Sequence, residues 1–547
     1  MLGENSQIVK ERPIWLQGTV VGLILLFFFL IGAFSIREKS KTSDENAHYL
    51  YGRNIVLKGD ATRFDDSKMP ITALNALPRK WGRALPSGAF RSFIQEFWAA
   101  RMVTLLFSAL VALIVFIWSR SLYGFIPALF SLVLYILDPN ILAHSRLVTT
   151  DIYAAGTTIF LFFFLWRFAH RRNLFNGLLC ALALGLSLIA KYSAIVLIPL
   201  AFVTLLIFDT AAFLESYDKQ RTQAVVAYLR RYIVYLIVAF VVVGFVVNIS
   251  FLSTRTFAQL EDYQFQSDFF RSIQQIPAIK KISVPLPYPY LEGLDLVLNN
   301  ERTGVSYGNI YLLGQIRHGN DGFTGYYFIA SLLKVPIASQ VIYLLAFYVY
   351  LRDPNRRSRF FADDIFLLVP VLFFTIYYNF FFNAQIGIRY YLVVFPFLYV
   401  FSGQLFSDFT RFSNITKRLA LGSVAYLLFS VLSYYPNFLP YFNEFVWNRS
   451  HAYRYLADSN VDWGQNSDKL GEYLSAHPGA IFAPEEVQSG HIVLSVNDLT
   501  GVSGGPEKYE WLRESFKPVN TISYSYLVYE ISEDELVGLC VATDYCK

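Results

Sequence analysis

The feature that most limits how this chain can fold is its repeated long apolar runs. Runs of bilayer-crossing length, about 17–25 residues, recur through the first four-fifths of the 547 residues. Only 16% of the residues are charged, against roughly 25% in soluble domains. These observations exclude a soluble globular protein. The fold class that the sequence predicts is an all-α polytopic membrane domain followed by a small C-terminal α/β domain.

The apolar runs define about eleven predicted transmembrane helices. Two of them, Gly124–Leu137 and Leu174–Leu188, are short for a crossing, and they either tilt little or join their neighbours in a re-entrant arrangement. The eleven predicted spans are Trp15–Ile36, Met102–Trp118, Gly124–Leu137, Ile152–Phe168, Leu174–Leu188, Ser193–Phe208, Ile233–Phe251, Val335–Leu351, Ile365–Phe381, Tyr390–Phe406 and Leu419–Tyr434.

The distribution of lysine and arginine predicts the orientation of the spans. Alternate short connections are rich in basic residues, as around Arg171 and Arg356, which marks them as cytoplasmic. With a cytoplasmic N-terminus and an odd number of spans, the long loops 37–101 and 252–334 and the C-terminal region lie outside together. The C-terminal domain is therefore predicted to lie on the outer side of the membrane. The net charge of +5 is ordinary for membrane loops and gives no reason to expect a nucleic-acid partner.

The composition becomes that of a soluble domain near residue 441. We therefore divide the chain into a membrane domain, 1–440, and an outer domain, 441–547. Helical spacing predicts helices over Gly464–Ala476 and Pro506–Ser515, and β-rich runs predict strands over His491–Val496 and Ile522–Ile531. Long loop 252–334 is too polar to cross and is expected to form amphipathic helices on the membrane surface.

The three cysteines divide into one in an apolar span and two in the polar tail. Cys180 is expected to be inert filler within its span. Cys540 and Cys546 lie close together in sequence; a disulfide between them is possible if that side of the membrane is oxidising, and whether they pair stays open.

Acidic residues mark two outer loops at the level of the membrane. Asp44 and Glu45 follow the first span, with His48 one helical turn later. Asp151 opens the span 152–168 from the outer side. Each aspartate also fits a simple helix N-cap, but two acidic outer loops at the bilayer surface are more than capping requires. Carboxylates at a bilayer are costly unless a substrate, a cation or water accounts for them.

Three lone cations lie in outer loops, where the distribution of charge disfavours them. Arg146, Lys191 and Arg389 each stand at the outer end of a span. One interpretation is that each side chain snorkels to the interface. The other is that some of them form an anion site for a lipid phosphate.

Several motifs occur in an order that resembles a known family. They are Asp44-Glu45-Asn46-Ala47-His48-Tyr49, Gly59-Asp60, His144-Ser145-Arg146 with Thr150-Asp151, Ala190-Lys191-Tyr192-Ser193, Gln385-Ile386-Gly387-Ile388-Arg389-Tyr390 and Asp458-Ser459-Asn460-Val461-Asp462-Trp463-Gly464-Gln465. Together they resemble lipid-carrier-dependent glycosyltransferases of the GT-C fold, such as protein O-mannosyltransferases and lipid A aminoarabinose transferases. The chain departs from many members at Lys68-Met69-Pro70, where they carry His-Pro-Pro.

The resemblance implies an enzyme that transfers a sugar, with inversion, from a polyprenyl-phosphate donor to an acceptor hydroxyl or phosphate on the outer face. Asp44 is the expected general base, with Glu45 as its substitute. Asp151 is expected to position the acceptor or to hold Arg146. The resemblance also implies a location in the bacterial plasma (inner) membrane, with a periplasmic C-terminal domain. The acceptor, a protein or a glycolipid, and the identity of the sugar stay open.

The remaining expected site residues bind the substrates. Arg146, Lys191 and Arg389 are expected to stabilise the departing lipid phosphate. His48, Tyr307 and Gln315 are the expected substrate-binding residues, although Tyr307 and Gln315 also fit ordinary loop packing. We expect no metal or other cofactor, because no further His or Cys recurs at ligand spacing, while a divalent metal is left open.

Two other classes of function compete with a transferase. One is a polytopic lipid or sugar transporter or flippase, which normally shows repeated halves or broken mid-membrane helices. The other is a non-catalytic assembly subunit whose loops only bind a partner.

Overall fold

The computed structural model describes residues 13–63, 68–215, 221–305, 307–407, 409 and 413–546, without the side chains of 212–215 and 221–231. The N-terminal residues 1–12, which bear on the predicted orientation, lie outside the described residues. The first half is almost entirely helical. Its helices are α1 Ile14–Arg37, α2 Glu45–Lys58, α3 Ala73–Ala84, α4 Ala89–Gln95, α5 Phe97–Tyr123, α6 Phe125–Ile136, α7 Pro139–Ser145, α8 Asp151–His170, α9 Leu174–Ala190, α10 Leu197–Glu215 and α11 Arg221–Ser250.

The second half carries further membrane helices and two regions that mix helices with strands. Its helices are α12 Asp268–Gln274, α13 Tyr288–Thr303, α14 Tyr326–Lys334, α15 Ile337–Arg352, α16 Pro354–Arg357, α17 Ile365–Phe380, α18 Phe395–Gly403, α19 Asn414–Tyr434, α20 Ser467–Ala476, α21 Val496–Thr500, α22 Glu510–Ser515 and α23 Glu533–Ala542. Its strands are β1 Asn309–Leu312, β2 Gln315–His318, β3 Ile481–Phe482, β4 Gly490–Ser495, β5 Asn520–Ile522 and β6 Tyr526–Ile531.

The predicted membrane spans coincide with apolar helices. In the described part of the chain, seven helices are long and apolar enough to cross a membrane, or up to nine if each of two bent helix pairs is one span. Two further apolar helices, Leu174–Ala190 and Phe395–Phe406, are shorter. Every predicted apolar run therefore lies on a helix, and the protein is a multi-pass membrane protein. The number of full crossings by length is lower than the predicted eleven.

Prolines produce the two bent pairs. Helices α6 and α7 meet at 63°, where Asp138 accepts hydrogen bonds from the backbone N–H groups of Asn140 (2.7 Å) and Ile141 (3.3 Å) and Pro139 begins α7. Helices α14 and α15 meet at 117° around Pro336. Proline has no N–H to continue a helix but suits its first turn, so each pair breaks there.

Two small sheets lie outside the membrane helices. Strands β1 and β2 form an antiparallel hairpin in the long loop, where only helices were predicted. The C-terminal sheet has the order β3-β4-β6-β5, with β3 parallel to β4 and the other pairs antiparallel. The predicted strand Ile522–Ile531 is two strands, because Ser523 and Tyr524 adopt positive φ and turn the chain. The predicted helix Pro506–Ser515 begins only at Glu510.

The C-terminal segment 455–466 packs between the long loops 37–101 and 252–334. The N–H of Leu313 donates to the Tyr455 carbonyl (2.9 Å), and the N–H groups of Ser43 and Ser40 donate to the carbonyls of Trp463 (3.0 Å) and Gln465 (3.1 Å). These contacts join the C-terminal region to the membrane part at the loop that carries Asp44. The division of the chain near residue 440 stays a prediction.

Candidate active site

A cavity of about 640 Å³ lies where one end of the membrane helices meets the long loops 37–101 and 252–334. Six of the nine residues predicted from the sequence line it: Asp44, His48, Asp151, Lys191, Tyr307 and Arg389. They come from five separate parts of the chain, namely the loop before α2 with α2 itself, the start of α8, the turn before α10, the long loop 252–334 and the turn before α18. The fold therefore brings distant polar residues to one site.

Asp44 and Arg389 form the first ion pair of the cavity. Nη1 of Arg389 lies 3.2 Å from Oδ2 of Asp44, and the guanidinium is 4.0 Å from the centroid of the Trp463 ring. Asp44 precedes α2, but its side chain makes no capping hydrogen bond. Its side chain is 36% exposed. Helix capping therefore does not account for this carboxylate, which remains accessible from the cavity.

Asp151 and Lys191 form the second ion pair. Nζ of Lys191 lies 3.0 Å from Oδ1 of Asp151 and 3.9 Å from the centroid of the Tyr390 ring. Asp151 is the first residue of α8, and Lys191 stands between α9 and the next span. Lys191 therefore holds its charge beside the cavity instead of extending into solvent as a snorkelling side chain does.

Two buried nitrogens of the cavity have no hydrogen-bond partner among the described residues. They are Nε of Arg389 and Nδ1 of His48. Burial, together with the positive charge of Lys68, lowers the pKa of His48 to about 4, so the imidazole is neutral near pH 7. Unpaired buried polar groups are costly. The two nitrogens are therefore positions where a bound ligand would supply the missing hydrogen bonds.

Glu45 has a different environment from its neighbour Asp44. It is completely buried and accepts hydrogen bonds from Nε (2.9 Å) and Nη2 (2.5 Å) of Arg101. It also accepts from the backbone N–H groups of Val148 (2.8 Å) and Thr42 (2.9 Å). Four hydrogen bonds saturate this carboxylate, and it does not line the cavity. The geometry does not support the expected role of substitute base.

Arg146 and Gln315 also lie away from the cavity. Arg146 is buried, donates to the Ser35 carbonyl (3.1 Å) and lies 5.1 Å from the centroid of the Phe438 ring. It does not contact Asp151, which is paired with Lys191 instead. Gln315 is exposed at the start of β2 and does not line the cavity. The geometry therefore does not join these two residues to the predicted donor and substrate sites.

Two carboxylates that were not predicted as site residues line the cavity. Glu301, near the end of α13, accepts a hydrogen bond from the Tyr377 hydroxyl (2.9 Å), and burial raises the pKa of its carboxyl. Burial raises the pKa of Asp458 to about 6, although nearby Arg389 limits the rise. Asp458 belongs to one of the motifs that carry the family resemblance, so the sequence did contain a reason to consider it as a site residue. Glu301 lies in none of these motifs, and the sequence contained no such reason.

An apolar cavity of about 990 Å³ lies between α8, α9, α10 and α11. Its walls include Leu161, Leu184 and Phe202, and also Phe240 of α11, whose side chain is exposed. It reaches Ile195, two residues from Ser193 in the polar cavity. A long apolar chain with a polar end group therefore has adjoining places for both parts.

No group of three or more His, Cys, Asp or Glu residues within the described ranges has the geometry to hold a metal ion. The polar cavity combines two carboxylate–cation pairs, a neutral imidazole and an unpaired guanidinium N–H. Such a set of groups can bind an anion and can accept a proton from a hydroxyl.

Comparison with known proteins gives one family match. Residues 87–251 match the model of a family described as dolichyl-phosphate-mannose-protein mannosyltransferase. No curated protein matches the sequence.

Among solved structures, the chain is similar to the apo oligosaccharyltransferase of Archaeoglobus fulgidus, with a TM-score of 0.46, 14% identity, and coverage of 81% of this chain and 57% of that chain. It is also similar to ArnT from Cupriavidus metallidurans in the apo state, with a TM-score of 0.31, 13% identity, and coverage of 93% and 97%. The chain spans just over half the length of the archaeal structure. At these values the likeness supports no residue-by-residue correspondence. The family match over residues 87–251 bears out the predicted resemblance to lipid-carrier-dependent glycosyltransferases for that part of the chain.

Proposed function

We propose that this protein transfers a sugar from a polyprenyl-phosphate donor to an acceptor hydroxyl or phosphate at the outer surface of a bacterial inner membrane. The observation that carries the proposal is the polar cavity with its two ion pairs, Asp44–Arg389 and Asp151–Lys191, beside an apolar cavity between membrane helices. The matched family's description names a lipid-phosphate sugar donor, which supports this class of substrate.

Asp44 is the proposed general base. In the transfer to a hydroxyl, the acceptor oxygen forms a bond to the anomeric carbon while the bond from that carbon to the donor phosphate oxygen breaks. The electron pair leaves with the lipid phosphate, and the acceptor proton passes to a carboxylate. Attack from the face opposite the phosphate inverts the anomeric configuration. Asp44 suits this role because its side chain is accessible from the cavity.

Lys191 and Arg389 are the proposed phosphate-binding residues. Charge develops on the lipid phosphate as it leaves, and fixed cations beside it lower the barrier. Both cations line the cavity, and Nε of Arg389 has no protein partner within the described residues. Asp151 keeps Lys191 in place. His48 and Tyr307 are the proposed contacts to the sugar or acceptor.

The orientation is part of the proposal. Cys540 and Cys546 form a disulfide, and disulfides persist in oxidising compartments such as the periplasm. Segment 455–466 joins the C-terminal region to the loop that carries Asp44, so these parts share one side of the membrane. This supports a periplasmic C-terminal domain and active site.

The position of the charged residues favours an enzyme over a transporter. Asp44, Asp151, Lys191 and Arg389 stand at the ends of helices, whereas transporters place ionisable residues near the middle of the bilayer.

The test is a transfer assay with purified protein, a panel of polyprenyl-phosphate sugars and a membrane extract, followed by mass spectrometry of the products. Asp44→Asn is expected to slow transfer by about 10²- to 10⁴-fold, the usual contribution of a general base. The matched control is Asp60→Asn, because Asp60 is exposed in the same loop outside the cavity. Absence of transfer from every donor would contradict the proposed activity. A normal rate for Asp44→Asn would remove Asp44 from its role.

A further inference from the structure

The C-terminal segment 455–466 forms hydrogen bonds to the residues just before Arg389. Oδ1 of Asn460 accepts a hydrogen bond from the N–H of Ile388 (3.0 Å), and the Ser459 hydroxyl donates to the carbonyl of Ile386. Nδ2 of Asn460 also donates to the hydroxyl of Tyr326 (2.9 Å). Trp463 covers the face of the Arg389 guanidinium. The tail therefore forms part of the cavity wall.

Asp458 is held in an unusual backbone conformation at this wall. Its φ is +56°, in the left-handed region that few residues other than glycine adopt. Its backbone N–H donates to Oδ1 of Asn497 (2.8 Å), and its carboxylate lines the cavity with Asp44 and Arg389. A strained position of this kind persists only where the surrounding contacts hold it, and it fixes the direction of the side chain.

Asp458 differs from the other two aspartates of the cavity in its partners. Asp44 and Asp151 each pair with a cation at 3.2 Å and 3.0 Å. Asp458 forms no ion pair with any described residue. The charged and titratable groups around it are Arg389, Asp44, Asp462 and Tyr326. Within the described chain, Asp458 is therefore the only aspartate of the cavity whose carboxylate is not in an ion pair.

We infer that Asp458 is a catalytic residue contributed by the C-terminal segment, which accepts a hydrogen bond from the acceptor hydroxyl and directs that hydroxyl toward Asp44 and the anomeric carbon. The inference rests on the proposed transferase function and deepens it. No bond beyond those of the transfer itself forms or breaks, and the hydroxyl proton passes to Asp44 as the glycosidic bond forms.

The charge of Asp458 also affects the donor. An ionised Asp458 faces the same arginine as the donor phosphate, so it competes electrostatically with the phosphate. Protonation of Asp458 removes this competition but leaves the acceptor hydroxyl without its hydrogen-bond partner. Donor binding and acceptor binding therefore respond to pH in opposite directions.

The first test compares Asp458→Ala, Asp458→Asn and the control Asp462→Asn in transfer assays. Asp462 is a suitable control because it stands in the same segment, is buried, and has a pKa likewise raised to about 6 by burial, but does not line the cavity. Asp458→Ala is expected to raise the acceptor KM by at least about tenfold, as loss of a charged hydrogen bond predicts. It is expected to lower the donor KM at neutral pH, because the charge that competes with the donor phosphate is removed. Asp462→Asn is expected to leave both KM values unchanged.

The second test needs no turnover. It measures binding of a polyprenyl methyl phosphodiester, whose charge is constant between about pH 5 and pH 8. The wild-type protein is expected to bind it about three- to tenfold more tightly at pH 5 than at pH 7.5. Asp458→Asn is expected to lose this dependence, and Asp462→Asn to retain it.

Equal pH dependence in the wild type and Asp458→Asn would overturn the inference, whether or not transfer is detected. So would matching effects of Asp458→Asn and Asp462→Asn, because they would indicate a change in the fold of the segment. Absence of transfer with the expected binding pattern would contradict the proposed function alone.

Discussion

The adjacent carboxylates Asp44 and Glu45 lead to a sharp prediction, because the structure gives them opposite roles. Glu45→Gln removes the only carboxylate that contacts buried Arg101 in the described structure. Arg101 keeps hydrogen bonds to the carbonyls of Lys39 (2.8 Å) and Ser40 (2.6 Å), but its charge loses compensation. Breaking a buried ion pair by removal of one partner costs about 3–5 kcal/mol.

The expected result is a fall in Tm of about 5 °C or more for Glu45→Gln in detergent. Asp44→Asn is expected to change Tm by no more than about 2 °C. Asp44 is partly exposed, and its ion pair with Arg389 therefore stabilises the fold less than the buried pair of Glu45 with Arg101. The assay is thermal unfolding of the purified variants beside their transfer rates. If Glu45→Gln keeps the wild-type Tm while transfer is lost, Glu45 acts in catalysis and the structural reasoning is wrong.

Three further predictions follow from single contacts. Alkylation of the denatured protein is expected to modify one thiol, Cys180, without reductant and three after reduction; three without reductant would exclude the Cys540–Cys546 disulfide. Lys191→Met is expected to weaken binding of a polyprenyl phosphodiester by at least about tenfold. Arg146→Met, outside the cavity, is expected to leave this affinity unchanged. Equal losses of affinity in the two variants would contradict the assignment of phosphate binding to the cavity. Gly293→Ala is expected to lower Tm, because the new Cβ would lie 2.1 Å from the Tyr192 hydroxyl; an unchanged Tm would show that Tyr192 moves freely.

The membrane helices were predictable because hydropathy is a local property. Each apolar run in the sequence coincides with an apolar helix, and the breaks at Pro139 and Pro336 follow from the chemistry of proline. The number of crossings was less certain, since a bent pair such as α14–α15 has the composition of a span without its straight length. The β1–β2 hairpin was missed because its strands are only four residues long.

The candidate site was predictable in its residue types but not in its pairings. Asp44 and Glu45 are adjacent in sequence, but one residue rotates a side chain by about 100° around a helix. That rotation directs Asp44 to the cavity and Glu45 to Arg101, and it depends on packing that sequence spacing does not contain. Asp151 pairs with Lys191, 40 positions away in the sequence, and not with Arg146. This pairing also depends on how the helices pack, so the sequence alone did not predict it.

The central claim is that the cavity holds the phosphate of a lipid donor between Lys191 and Arg389. The most direct measurement uses a polyprenyl phosphate with a photoreactive group beside the phosphate, cross-linked to the membrane-embedded protein and mapped by mass spectrometry. We expect the cross-links to fall on peptides that contain Lys191–Ser193 or Ile386–Tyr391. Cross-links confined to the peptide around Arg146, or to the opposite ends of these helices, would contradict the claim.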